Sequence, residues 1–143
     1  MLPVREAEEK DPVMPGVVYF APPNYHLMIE SDEIFSLSID AKVNFSRPSI
    51  DVLFETAANV YGPELIGIIL TGASSDGAAG LRRIKENGGF AVVQDPRTAE
   101  FPVMPSAALD ETEVDCVMNI LEIGRFLAGI GRAVSPSVRQ EEK

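Results

Sequence analysis

The sequence predicts an α/β domain: a doubly wound, mainly parallel sheet with an antiparallel β-hairpin region over residues 17–39. Three observations carry this. The runs "LIGIIL" (65–70) and "FAVVQDP" (90–96) are short and almost wholly apolar, as strands buried on both faces should be. From residue 65 onward such runs alternate with stretches of helical period, and strand–helix–strand order implies right-handed crossovers and a parallel sheet. Before residue 46, in contrast, the strand signals lie too close together for a crossover helix, so they should pair antiparallel.

Taken in order, residues 1–16, "MLPVREAEEKDPVMPG", carry six charged side chains and three prolines and should form an extended lead-in. "GVVYFAPPNYHLMIE" and "EIFSLSID" read as strands, the first broken at Pro22-Pro23-Asn24 and the two separated at Ser31-Asp32. "SRPSIDVLFETAANVYG" reads as a helix with Ser46 as its candidate N-cap, proline near the first turn and Gly62 beyond its end. Ile50, Leu53, Phe54, Ala57 and Tyr61 fall on one face of it. "GAAGLRRIKENGG" is a helix closed by Gly88-Gly89, "MPSAALDE" a short helix, "VDCVMN" the last strand and "ILEIGRFLAGIGRAV" the last helix. The tail, 135–143, is expected to be disordered.

Composition narrows the function classes. A chain of 143 residues with 45% apolar side chains has enough material for one buried core. Its formal net charge of −10 disfavours nucleic acid and anionic membrane surfaces as partners. No run approaches ~18 uninterrupted apolar residues and no basic segment precedes an apolar one, so neither a membrane span nor a signal peptide is expected. The lone cysteine, Cys116, cannot form an internal disulfide, which fits a reducing cytoplasm. It has no neighbouring basic residue to favour its thiolate, so it is a poor nucleophile candidate.

The stretch "LTGASSDGAAGL" (70–81) joins the most apolar run of the chain to a helix, and it holds three glycines, two serines and one carboxylate. Familiar phosphate loops do not explain it. Gly72 and Gly77 have the first spacing of G-x-x-x-x-G-K-[ST], but Ala78-Ala79 follow in place of lysine and a hydroxyl residue. The dinucleotide pattern G-x-G-x-x-G is absent, and no cofactor or metal is expected. Gly72-Ala73-Ser74 opens a G-x-S-x-G nucleophile elbow, yet Asp76 stands where the second glycine belongs, which makes Ser74 a weak nucleophile. Asp76 lies at the C-terminal edge of a buried strand, where functional groups of open α/β sheets collect. Two readings stay open: a cap for the helix that follows it, or the carboxylate that orients a histidine in a Ser–His–Asp hydrolase. The only histidine, His26, sits in a strand-like alternation that favours a structural role.

"GVVYFAPPNYHLMIE", "VNFSRPSIDVLFETAA", "IGIILTGASSDGAAGLRRIKENGG" and "VVQDPRTAEFPVMPSAAL" resemble, in order and spacing, the catalytic domain of CheB-type chemotaxis protein-glutamate methylesterases. The likeness runs from residue 2 to residue 128, and residues 1–134 are accordingly expected to form the C-terminal two-thirds of such a domain. It implies a cytoplasmic hydrolase acting on glutamate methyl esters of methyl-accepting chemotaxis receptors, and on receptor glutamines by deamidation. In that family the T-G-x-x-x-D-G-A turn carries the aspartate of a Ser–His–Asp triad, a role that transfers to Asp76. Ser74 and Ser75 become loop residues. The amide of Ala73, flanked by Gly72 and with Gly77 completing the turn, becomes a candidate oxyanion donor, and Arg47 a candidate contact in the substrate groove.

The resemblance also implies what this stretch lacks. The family's nucleophilic serine lies in a G-x-S-x-G-G turn and its histidine follows the next strand, both ahead of the segment similar to "LPVREAEE". The expectation is therefore a partial domain lacking its first strand–helix units, inactive alone, with a fragment or a degenerate binding module as the alternative. His26 is matched instead with a histidine of the family's A-P-x-x-x-H-L hairpin, outside the triad. No receiver domain is present, so any response-regulator partner would come from another chain.

Overall fold

The computed structural model describes residues 1–133, and its first strand lies in the charged segment expected to be an extended lead-in. Strand β1 (Val4–Glu6) pairs in parallel with β2 (Val18–Phe20), with Val4 opposite Val18. The reading of β2 as part of an antiparallel run is thereby corrected. Pro22-Pro23-Asn24, with Asn24 at φ 66°, redirects the chain after β2, so its ladder partner is β1. The hairpin itself forms one step later: β3 (His26–Ile29) runs antiparallel to β4 (Phe35–Ser38), from His26 opposite Ser38 to Ile29 opposite Phe35. Under these strands Ala7, Leu27 and Phe35 form a small apolar cluster. Tyr19 packs edge-on against Phe35 at 4.7 Å between ring centres.

Helix α1 (Ile50–Tyr61) starts later than Ser46 predicts; its N-cap is Ser49, at φ −107° and ψ 134°. Pro48 explains the delay, because a proline disfavours helical backbone at the residue before it. Gly62, at φ 53°, ends the helix where expected. The second half then alternates as predicted: β5 (Ile66–Ile69), α2 (Ala78–Glu86), β6 (Phe90–Gln94), α3 (Val103–Glu111), β7 (Cys116–Met118) and α4 (Ile120–Ala133). The sheet order is β5-β6-β7 and both pairs are parallel, Ile66 facing Phe90 and Val92 facing Cys116. This is the mixed α/β, mainly parallel architecture that the apolar runs announce. One detail differs. β6 is the central, fully covered strand, with Ala91, Val92 and Val93 inaccessible, whereas β5 is an edge whose Ile66 and Ile68 are only half-buried. The residues expected to form the tail lie outside those described.

The main core joins Ala58 of α1, Ile69 of β5, Leu81 and Ile84 of α2, Ala91 and Val93 of β6 and Ala108 of α3. Helices α1 and α2 meet closely enough that a Cβ on Gly80 would fall 2.7 Å from the Phe54 Cβ and 3.0 Å from Asp51 Oδ1. Gly80→Ala gains up to about 1 kcal/mol of helix propensity, but forcing the helices apart costs about 1–3 kcal/mol, and the second effect should win. A lowered melting temperature checks this; an unchanged or raised one would show that the helix pair gives way freely. At the sheet's far side Asp115 accepts from the Ala91 amide at 2.7 Å and from Lys85 Nζ at 2.9 Å, and these bonds hold its carboxyl below the usual carboxylate range. The tie joins the start of β6 to the chain entering β7.

Candidate active site

The turn after β5 is held by backbone amides and carbonyls together with the side chains of Thr71 and Gln94. Thr71 donates its amide to Gln94 Oε1 (2.9 Å) and receives the Phe101 amide on Oγ1 (2.8 Å). The Gly72 amide donates to Phe101 O and its carbonyl accepts from the Met104 amide, at 2.9 and 3.0 Å. The loop leading into α3 thus clamps the turn, and a side chain on Gly72 would strike Met104 at 2.6 Å. Ala73 is exposed, and its amide has no backbone or side-chain acceptor among the described residues. Ser74 Oγ accepts the Asp76 amide at 3.3 Å, while Ser75 is exposed and its carbonyl accepts from Ala78. Gly77 sits at φ 100°, a left-handed conformation natural only to glycine, and its amide is taken by Asp51 at 3.0 Å. Gly77 therefore shapes the turn and has no free N–H to offer an oxyanion.

Asp76, 2% exposed, ends this turn with its carboxylate aimed away from its own helix. Oδ2 accepts the Ile50 amide at 2.6 Å. Oδ1 accepts Ser49 Oγ–H at 2.7 Å, Asn44 Nδ2–H at 3.0 Å and the Asp51 amide at 3.3 Å. Asp76 thus caps α1, not the helix that follows it. That second task falls to Asp51, in the first turn of α1, whose Oδ1 accepts the amides of Gly77 (3.0 Å) and Gly80 (2.7 Å) at the start of α2. The two helix N-termini exchange carboxylates. Neither acid is in any of the ion pairs among the described residues. Their charge is met by the positive ends of two helices and by the Asn44 carboxamide, whose Nδ2 reaches Asp51 Oδ2 at 2.7 Å. A shallow depression of about 350 Å³ adjoins Asp51, lined also by Asn44, Ser75 and Ala78 together with Asp110 and Glu111; Asp76 is not part of its lining.

His26 is also buried, 2% exposed, and close by, but the bonding order is wrong for a triad. The Ser49 amide donates to Nδ1 (3.2 Å), so the ring proton is on Nε2, which donates to Ala41 O (2.9 Å). Ser49 Oγ–H goes directly to Asp76. Both ring nitrogens are committed to backbone, leaving none to take a proton from a serine. His26 therefore locks the chain between β4 and α1 against the hairpin, as its strand alternation suggests. Arg47 is half-buried and spends Nη1 on the carbonyls of Ile39 and Asp40, at 3.1 and 3.2 Å, while its Nε is buried without a partner among the described residues. Cys116 lies in β7, two strands from the turn. Among the described residues no group of His, Cys, Asp and Glu is arranged to hold a metal ion, and no helix is long and apolar enough to cross a membrane.

Asn44, Ser49 and Asp51 escaped the sequence reading. An acid in the first turn of a helix reads as serving that helix, and the reach of Asp51 to an amide 29 positions on leaves no local pattern.

Comparison with known proteins bears on what this arrangement is for. A family model described as CheB methylesterase matches residues 1–127. A Leptospira interrogans relative named for protein-glutamate methylesterase/protein-glutamine glutaminase activity is 62% identical over 123 residues, covering 86% of this chain and 64% of its own length. A protein-glutamate methylesterase/protein-glutamine glutaminase of Photorhabdus laumondii is 41% identical over 137 residues, 92% of this chain and 39% of that protein. The chain thus spans less than two thirds of these relatives. The crystal structure of the Thermotoga maritima CheB methylesterase catalytic domain superposes with a TM-score of 0.82 at 33% identity, covering 87% of this chain and 68% of that one. The matched region takes in the strands, both capped helices and the turn that holds Asp76, and the chain belongs to the CheB methylesterase family.

Proposed function

We propose that this chain carries the aspartate of a protein-glutamate methylesterase site, with Asp76 as the group that orients a catalytic histidine. The observation that carries the reading is the placement of the Asp76 carboxylate: buried and held by four donors, at the C-terminal edge of β5, in the turn whose residues resemble the family's active-site turn. The serine and histidine of the site come from sequence outside these 143 residues. The substrates are glutamate methyl esters on methyl-accepting chemotaxis receptors in the cytoplasm and, following the double name of the relatives, receptor glutamine side chains.

In that reaction the serine oxygen bonds to the ester carbonyl carbon while its proton passes to the imidazole. The tetrahedral intermediate collapses, the C–O bond to the methyl-bearing oxygen breaks, and the imidazolium proton leaves with methanol. Water then adds to the acyl-enzyme by the same route and releases the free carboxylate and the serine. Asp76 accepts the second imidazole N–H, fixing the tautomer and stabilising the imidazolium. The unengaged Ala73 amide serves as one oxyanion donor, on a turn shaped by Gly72 and Gly77. Arg47, with guanidinium nitrogens to spare beyond the two carbonyls it holds, contacts receptor helices. On the same reading, a response-regulator receiver domain on another chain regulates the site.

A second reading has one specific observation in its favour: both nitrogens of the only histidine are committed, so the chain alone could serve as a binding module without catalysis. One experiment separates the two. The portion of the Leptospira interrogans relative outside the matched region is fused ahead of Met1, and methanol release from methylated receptor is followed for the fusion and for the chain alone. The fusion should turn over and the chain alone should stay at background. Turnover by the chain alone, or a folded fusion without turnover, would overturn the proposal.

A further inference from the structure

Asn44 occupies a demanding position for a residue with no assigned role. It lies in the turn Val43–Ser46, closed by two backbone bonds of 3.0 and 2.9 Å between those end residues. Asn44 and Phe45 both have positive φ, 52° and 63°. Asparagine tolerates that conformation; phenylalanine does not do so readily, and Phe45 is 98% exposed, so no burial repays it. The strained turn carries one side chain inward. Asn44 Nδ2 has two hydrogens and spends them on two different buried acids, Asp51 Oδ2 at 2.7 Å and Asp76 Oδ1 at 3.0 Å. A serine would have one hydrogen, an aspartate none.

We propose that Asn44 is a positioning residue that selects Oδ2 of Asp76 as the oxygen open to the catalytic histidine. The proposal rests on the reading of Asp76 given above. Each carboxylate oxygen offers about two acceptor positions. Oδ1 already receives Asn44, Ser49 and the Asp51 amide, whereas Oδ2 receives only the Ile50 amide. An incoming imidazole N–H finds its vacancy on Oδ2. Without the Asn44 carboxamide, Oδ1 keeps only the Ser49 hydroxyl at 2.7 Å and the long Asp51 amide contact at 3.3 Å, and two buried carboxylates lose the donor they share, so the Asp76 side chain is freer to turn away from the histidine. The bridge thereby sets catalytic geometry from a surface turn.

The test uses the active fusion and three substitutions. Asn44→Asp keeps the shape but presents acceptors to two acids; Asn44→Ser keeps one donor and guards against a variant that fails to fold. The expected result is a kcat lowered about 10²-fold for Asn44→Asp and less for Asn44→Ser, with KM within twofold, the signature of misplacing a reacting group by a fraction of an ångström. A purely structural role predicts lower melting temperatures with full kcat when assayed well below melting, and that result would overturn the proposal. Asp76→Asn is run alongside. If it is inactive while the Asn44 variants keep full kcat, only the role of Asn44 falls. If Asp76→Asn is fully active, or the parent fusion does not turn over, the reading of Asp76 falls and takes the role of Asn44 with it.

Discussion

Asp76→Ala should lower the stability of the 143-residue chain by about 3–5 kcal/mol, because several hydrogen-bond donors at the α1 N-terminus lose their acceptor together. The reason lies in what is left behind. Four donors lose their acceptor: the amides of Ile50 and Asp51, Ser49 Oγ–H and one hydrogen of Asn44 Nδ2. Each stranded buried donor costs about 1–3 kcal/mol, offset in part by water entering the vacated space. An ordinary helix cap, by comparison, contributes about 0.5–2 kcal/mol. Denaturant unfolding of the chain and the variant measures the difference. A loss of 1 kcal/mol or less would mean that the α1 N-terminus finds replacement partners and that the exchange of caps is not a structural keystone.

Much of this architecture can be read directly from residues. "LIGIIL" and "FAVVQ" are strands because nothing else suits so short an apolar run between helical stretches, and their parallel pairing follows from the helix between them. Gly62 and Gly88 stop their helices by adopting positive φ. The hairpin of β3 and β4 follows from close strand signals. β1 was hidden by its composition, three residues within a charged, proline-containing segment, and it exists because β2 needs a partner after the chain is turned away at Pro22-Pro23. The start of α1 shifted from Ser46 to Ser49 because Pro48 constrains what precedes it.

The site divides along the same line. Asp76 stands out in the sequence because a lone carboxylate among small residues ends a buried strand, and the family resemblance then gives it a role. What it bonds to could not be read. The cap reading left open by the sequence placed the carboxylate on the adjacent helix, yet it crosses to a helix 25 positions earlier in the chain. That exchange depends on α1 and α2 meeting at Gly80, a tertiary fact with no signature in either segment. His26, read as structural from its strand alternation, is structural in its bonds as well.

The second large effect concerns the rate. Asp76→Asn keeps the side chain's volume and one acceptor oxygen, so Ser49, Asn44 and the Asp51 amide can retain their partner. It replaces the other oxygen with an NH2 group, which faces the Ile50 amide and can only donate to an approaching imidazole. The histidine then loses its orienting acceptor and is biased toward the wrong tautomer, a change that costs about 10⁴-fold in kcat in Ser–His–Asp enzymes. The fold should survive at a lower melting temperature, so activity can be compared between folded proteins.

The most direct measurement is therefore methanol release from methylated receptor by the active fusion and by its Asp76→Asn form, each assayed at a temperature where circular dichroism shows it folded. A folded Asp76→Asn protein that has lost about four orders of magnitude in kcat, the cost of losing an orienting aspartate, is the result predicted for a carboxylate that orients the histidine. A folded Asp76→Asn protein with the parent's full rate would contradict it and leave Asp76 as a helix cap alone.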